Sequence, residues 1–238
     1  MFFRKKTPPK PRYAAVIVAA GSGSRMGAQI PKQFLNVMNK PVLAYTIEKF
    51  QGNKYIDEIV IVTKEEYISF CKNLVMSCGF SKVSAVVTGG DTRQQSVMRG
   101  ISQLSDDTDS VFIHDGARPM ITDEVITKCA HAIKENNACA VGVPMKDTIK
   151  YSDNGSFIDK TVDRSHLWQI QTPQCFKKEL IVRCHRMAAE EGFEATDDCM
   201  LLEHYGERVA LVEGDYENIK ITSPQDIYVM EGLLSDKL

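Results

Sequence analysis

No two of the seven cysteines stand as Cys-x-x-Cys, the formal net charge of the 238-residue chain is only -2, and there is a single tryptophan. Scattered cysteines in odd number argue against a disulfide framework or a zinc site and leave reduced thiols, most of them small buried hydrophobes. The basic residues Arg4, Lys5, Lys6, Lys10 and Arg12 gather in the Pro-containing start, so the remaining body is acidic and a broad nucleic-acid surface is excluded. Apolar runs are strand-sized and flanked by charge, which gives no membrane-spanning helix, and MFFRKKTPPKPR has no apolar core of a signal peptide. The expectation is a cytoplasmic protein with a solvated tail over residues 1–12 and one domain over 13–238.

What the chain does have is a strand running into a glycine loop. Val16, Ile17 and Val18 form a β-branched run without polar alternation, as in a strand buried on both faces of a parallel sheet. Gly21, Gly23 and Gly27 follow, with Arg25 and Lys32 adding fixed positive charge. Glycines there let backbone N–H groups approach phosphate oxygens at the sheet's carboxyl edge, where ligands of open α/β sheets bind. A Walker A loop is excluded because Lys32 lies between Pro31 and Gln33, and a dinucleotide fingerprint because the third glycine comes one place late. The segment reads as a nucleoside triphosphate cradle, with residues 20–29 as an expected mobile lid. The duller alternative is a flexible turn after a core strand.

Strands and helices then alternate as in a mostly parallel sheet covered on both faces. The pattern predicts a helix opened by Pro41 through about Phe50, a strand IDEIVIVT, and a helix from Glu65 to Cys78. It continues with strands SAVVTGG and DSVFIHDG flanking a helix from Asp91 to Leu104, a helix capped by Thr122, and a strand CAVGVP. Residues 144–173 break the rhythm as a polar hairpin with Asp153-Asn154-Gly155 at its tip, read as a projecting β-arm. Helices from Lys177 to Glu190 and near Asp197 to His204, a strand RVALVEG, and a last helix started by Ser223 and Pro224 complete the chain.

Seven segments in order, AAGSGSRMG with PKQF, GGDTRQQSV, HDGARP, KDTIK, TVDRSHLWQIQTPQ, ATDD and ENIKITSPQD, resemble the 2-C-methyl-D-erythritol 4-phosphate cytidylyltransferase family. The resemblance implies a Rossmann-like nucleotidyltransferase fold, α/β with helices on both faces, that dimerises through the arm and joins CTP to methylerythritol phosphate in non-mevalonate isoprenoid synthesis. It implies that Ala19, Ala20, Gly21, Ser22 and Gly23 wrap the CTP phosphates, with Arg25 and Lys32 touching them by side chain. Gly90, Asp91 and Ser96 are then the base-reading residues, and Asp115 and Gly116 stand beside the ribose and the metal. Arg118, Thr148, Arg164, Thr172, Thr196 and Lys220 match positions that hold the methylerythritol phosphate, Thr148 and Arg164 being donated by the partner's arm. Arg25, Lys32, Arg164 and Lys220 are the expected catalytic set. Gly116 departs from the alanine common in the family, which removes a methyl and is expected to loosen the ribose contact.

A phosphate monoester is already ionised at neutral pH, so its attack on the α-phosphate needs no general base, and the task is to manage anion meeting anion. Arginine forks and lysine point charges, with Mg2+ carried mainly on the CTP phosphates, suit that task. Asp115 is the expected protein neighbour of the metal, or else a structural strand-end aspartate. Thr196 reads equally as a helix N-cap, His114 as a packed strand residue, and Trp168 as an interface anchor. Two alternatives stay open: ribitol 5-phosphate cytidylyltransferase, from which Val162-Asp163-Arg164 with Leu167-Trp168 separates this chain, and a non-catalytic nucleotide sensor on the same fold.

Overall fold

The structure, a computed structural model, describes residues 10–21 and 30–236. The chain runs β1 (Arg12–Ala19), β2 (Asn36–Val37), β3 (Lys40–Pro41), α1 (Val42–Gly52), β4 (Ile56–Thr63), α2 (Ile68–Cys78), β5 (Val83–Thr88), α3 (Arg93–Ile101), β6 (Thr108–Asp115) and α4 (Asp123–Glu135). It continues as β7 (Ala138–Pro144), β8 (Ile149–Tyr151), β9 (Lys160–Val162), β10 (Trp168–Lys177), α5 (Lys178–Glu191), α6 (Asp198–His204), β11 (Ala210–Glu213) and α7 (Pro224–Ser235). Seven strands form one sheet in the order β11-β7-β10-β6-β1-β4-β5. All neighbours are parallel except β10, which is antiparallel to both β6 and β7.

Successive residues of a strand face opposite sides, and β1 makes a core on each. Ala15 and Ile17 join Ile59, Ile61 and Phe112 under α1, α2 and α4, while Ala14 and Val16 join Val60, Val62, Val111 and Ile113 under α3, α5 and α6. Each fully buried aliphatic side chain contributes roughly 1.5–3 kcal/mol, and this doubled burial is why the strand centres are apolar at every position. A smaller third cluster packs α7, through Met230, against Val37, Val42 and Ile221.

The element order follows the sequence pattern, with informative shifts. Thr92, Thr122 and Asp197 are N-caps, their side chains accepting from Gln95, Val125 and Met200 N–H. Asp197, not Thr196, therefore starts α6. Glu65–Tyr67 is a separate 3-10 turn before α2. The larger correction concerns the arm. Only β8 and β9 pair as the projecting hairpin, whereas Gln171 and Thr172 are buried where β10 inserts between β6 and β7. The stretch Gln171-Thr172-Pro173-Gln174 is polar because its side chains hydrogen-bond inside the body, which erased the strand signal. Six cysteines are buried and Cys78 is exposed, all seven as free thiols.

Candidate active site at the carboxyl edge of the sheet

The ends of β1, β4, β5 and β6 open into one cavity of about 590 Å³. Nine residues singled out in the sequence line it: Ala19, Ala20 and Gly21 after β1, Lys32, then Gly90, Asp91 and Ser96 before and within α3, with Asp115 and Lys220 opposite. Ser22, Gly23 and Arg25, and most of the expected lid, lie outside the described residues.

Asp115 is the electrostatic centre. Its carboxylate meets Lys220 Nζ at 2.7 Å, Arg118 Nε at 3.6 Å and Arg93 Nε at 3.9 Å. Burial alone would raise its pKa, yet Lys220, then Arg93 and Arg118, outweigh that and hold the carboxyl well below the ordinary carboxylate range. Three cations against this carboxylate and the buried Asp198, which forms an ion pair with Arg93 at 2.7 Å, leave the floor positive and suited to an anion.

Local stitching explains why these groups converge. Gln33 Nε2 donates to Ala19 O (2.6 Å) and Gly21 O (3.1 Å), tying the Lys32 turn to the start of the glycine loop. Gly90 N–H donates to Ser96 Oγ (3.0 Å) and Asp91 N–H to Gln95 Oε1 (2.9 Å), so α3 braces the loop before it. A Cβ on Gly90 would lie 2.4 Å from Gln95 Cβ, so this close approach requires glycine. Opposite, Ile221 N–H donates to Ala117 O (2.8 Å), Asn218 donates to Gln171 Oε1 and Thr172 O, and Asp226 accepts from Thr222 N–H. Lys220 is thereby carried onto the end of β6.

Behind the carboxylate, Asp115 N–H donates to Thr172 Oγ1 (3.1 Å), whose hydroxyl lies 3.0 Å from His114 Nδ1, while His114 Nε2 lies 3.1 Å from Arg118 O. A carbonyl can only accept, so Nε2 carries the proton and Nδ1 accepts from the threonine. Burial pushes the His114 pKa down to about 4, so the ring is neutral and structural at pH 7.

Several expected residues sit elsewhere. Thr172 is buried, with its hydroxyl committed between Asp115 and His114, and Arg118 turns into the body, donating to Asn218 O at 2.8 Å. Thr196 is exposed outside the cavity lining, and Thr148 and Arg164 lie exposed on the arm, with Arg164 donating to Lys146 O. The looser pocket expected at Gly116 is contradicted. A Cβ there would stand 3.1 Å from Leu43 Cδ1 and 3.2 Å from both Ala19 Cβ and Val18 O, so neighbours have closed over the missing methyl. Arg93, Gln33 and Thr222 also line the cavity and went unassigned in the sequence. All three stand inside the seven segments that carry the family resemblance, and no local pattern set them apart from their neighbours.

A phosphate-friendly loop, a glycine-bounded recess and converging cations at the carboxyl ends of a mostly parallel sheet define a Rossmann-like nucleotidyltransferase. The profile of the 2-C-methyl-D-erythritol 4-phosphate cytidylyltransferase family matches residues 13–236. The chain belongs to that family. It is 50% identical to the Caldanaerobacter subterraneus enzyme of that name over 219 residues, covering 92% of this chain and 96% of the relative. It is 47% identical to the Clostridium acetobutylicum enzyme over 221 residues, with 92% and 96% covered. Among solved structures, 4-diphosphocytidyl-2C-methyl-D-erythritol synthase from Anaerococcus prevotii superposes with a TM-score of 0.85 at 32% identity, covering 94% of this chain and 96% of that one.

Proposed function

We propose that the protein transfers the cytidylyl group of CTP to 2-C-methyl-D-erythritol 4-phosphate, releasing pyrophosphate, in the non-mevalonate route to isoprenoids. The observation that carries this reading is Asp115 with Lys220 and Arg93 in the same cavity as Lys32 and the Gly90 loop, with Arg118 against Asp115 from the body side. Family membership favours methylerythritol phosphate over ribitol phosphate as the acceptor.

An acceptor phosphate oxygen attacks the α-phosphorus of CTP, the new P–O bond forms as the α–β bridge breaks, and the electron pair leaves with pyrophosphate. Lys32, and Arg25 from the loop, neutralise charge gathering on the triphosphate, and Lys220 sits where both anions meet. The small residues of the Gly90 loop leave room for a pyrimidine base. Asp115 orients Lys220 and Arg93, and Thr172 holds Asp115 through its backbone.

Magnesium is expected with the nucleotide. Asp115 is the one buried carboxylate on the cavity wall among the described residues, and three cations already balance it. That donor set fits an ion carried mainly by phosphate oxygens and water, with Asp115 as its nearest protein group, better than a cage of protein ligands. When bound, Mg2+ supplies charge neutralisation of the polyphosphate.

Arg164 and Thr148 then act in trans, from the arm of a second copy, on the acceptor phosphate. Their exposure and distance from this chain's own cavity support that assignment, as do Phe157 and Ile158, which are 77% and 66% exposed beside the hairpin. The free thiols suit a reducing cytoplasm, and among the described residues no helix is long and apolar enough to cross a membrane. The test is pyrophosphate release with CTP and Mg2+, comparing methylerythritol 4-phosphate with ribitol 5-phosphate. Strong preference for the former is expected, and preference for ribitol phosphate would replace the acceptor while keeping the nucleotide site.

A further inference from the structure

A side chain that does not line the cavity ties the helix on its nucleotide side to the segment that precedes α6. Gln94 stands in the first turn of α3, just after the loop of Gly90 and Asp91. Its amide reaches across to the segment that precedes α6: Nε2 donates to Phe193 O at 3.2 Å, and Oε1 accepts from Ala195 N–H at 3.1 Å. The next residue is Thr196, whose hydroxyl lies 3.5 Å from Met200 Sδ, a weak acceptor that a phosphate oxygen would readily replace.

The far end of this segment is fixed independently. Gln174 Oε1 accepts from Asp198 N–H (2.9 Å) and Cys199 N–H (3.2 Å), Gln174 Nε2 donates to Asp197, and Arg93 pairs with Asp198. Residues 197–199 are thus held by the buried core of β10. Residues 193–195, which set the approach to Thr196, are held by Gln94 and by the packing of Phe193 against His204, with ring centroids 3.8 Å apart. The stacking fixes the ring and Phe193 N–H donates to Ala188 O at 2.9 Å, whereas the Gln94 amide fixes the backbone of 193–195 against α3.

We propose that Gln94 is a positioning residue for the acceptor, fixing the Thr196 backbone against the first turn of α3 so that the acceptor subsite depends on the order of the nucleotide-side loop. The inference rests on the reading that Thr196 contacts the acceptor phosphate. Nucleotide seated on Gly90 and Asp91 steadies α3, α3 steadies residues 193–196 through one amide, and the acceptor meets a prepared hydroxyl.

Gln94→Met keeps the side chain's length and apolar volume while removing both hydrogen bonds. The Michaelis constant for methylerythritol 4-phosphate should rise about tenfold, the worth of one to two net hydrogen bonds, with that for CTP and the melting temperature nearly unchanged. An acceptor KM within twofold of the parent, or equal rises for both substrates, overturns the inference. Amide exchange separates its failure from failure of the acceptor assignment, because it needs no acceptor. In the parent, CTP with Mg2+ should slow exchange over residues 193–198, and in Gln94→Met these amides should exchange about tenfold faster and lose their response to CTP. Unchanged exchange overturns the coupling whatever the acceptor proves to be.

Discussion

The nucleotide side of the molecule and its arm are built on opposite principles. Around Asp115 three cations of the same chain converge, the described loops beside it are braced by hydrogen bonds, and two layers of buried side chains lie beneath. The arm has two three-residue strands, its charged side chains are exposed, and its large apolar residues Phe157 and Ile158 face outward. Its root is tethered, with Tyr216 donating to Pro144 O at 2.7 Å and Lys146 Nζ lying 3.3 Å from the Tyr216 ring centroid. Its tip has no such partner core, and an isolated two-stranded hairpin is marginal in water. The nucleotide side is therefore braced from within its own chain, while the tip of the arm has no core of its own to hold it.

Breaking the body should have the largest effect. Lys220→Met removes the closest cation from Asp115 and from the proposed meeting point of two anions. A loss in kcat/KM on the order of a thousandfold, about 4 kcal/mol of transition-state stabilisation, is expected from pyrophosphate-release kinetics. Asp115 is left less compensated but still faces Arg118 and Arg93, so the fold should survive with a lowered melting temperature. A loss below tenfold would move the chemistry away from this carboxylate.

Breaking the arm should cost less, and its pattern is diagnostic. Arg164→Ala is expected to lower kcat/KM about a hundredfold, as for loss of one charged transition-state contact, with stability unchanged because the residue is exposed. Mixing it with Lys220→Met, after exchange of subunits, should restore about one quarter of the parent's activity, since half the pairs are mixed and each then has one intact site. No recovery would place Arg164 in its own chain's chemistry or outside it altogether.

The third contrast is in how the two regions respond to acid. His114 and His185 are buried in the body, and burial pushes both down to about 4 from an ordinary 6.5. The unfolded chain binds these protons first, so stability is complete above about pH 6.5 and is lost as pH falls towards 4. At pH 5 the loss should be on the order of 2 kcal/mol per histidine, read from urea unfolding at pH 7 and pH 5. The carboxyl of Asp115, held low, adds its own loss only at still lower pH. His166 lies exposed on the arm, and His166→Gln is the surface control for this measurement.

The body's strands were legible because burial on two faces demands apolar residues at every position, as in Val16 to Val18, and because Thr92 and Thr122 announce the helices they cap. The glycine loop, Lys32 and Asp115 were visible as glycine and charge at predicted strand ends, whereas Lys220 alone reads as a solvated strand lysine and only the family resemblance singled it out. The insertion of β10 was not, since Gln171, Thr172 and Gln174 are polar residues satisfied by partners far away in sequence. Arg93 and Gln94 were hidden for the same reason: their meaning lies in Asp198, Phe193 and Ala195, about a hundred residues on. Local pattern carries hydrophobic burial well and long-range polar pairing poorly.

Gly116 provides the finest test of that lesson, because sequence suggested an open pocket and packing shows a closed one. Its N–H donates to Val18 O at 2.8 Å and its carbonyl accepts from Thr46 Oγ1 at 3.0 Å, so the backbone cannot retreat. An added Cβ would press on Leu43, which can rotate, and on Val18 O, which is fixed in the sheet. Against that strain, alanine reduces the freedom of the unfolded chain by about 0.4–1 kcal/mol. The two effects nearly cancel, and Gly116→Ala should change unfolding free energy by less than about 1 kcal/mol. The new methyl points at the core around Leu43 and Ala19 rather than into the cavity, so the CTP Michaelis constant should stay within twofold. A change of tenfold or more would mean that the methyl reaches the ribose, and that the closure seen around Gly116 relaxes when nucleotide binds.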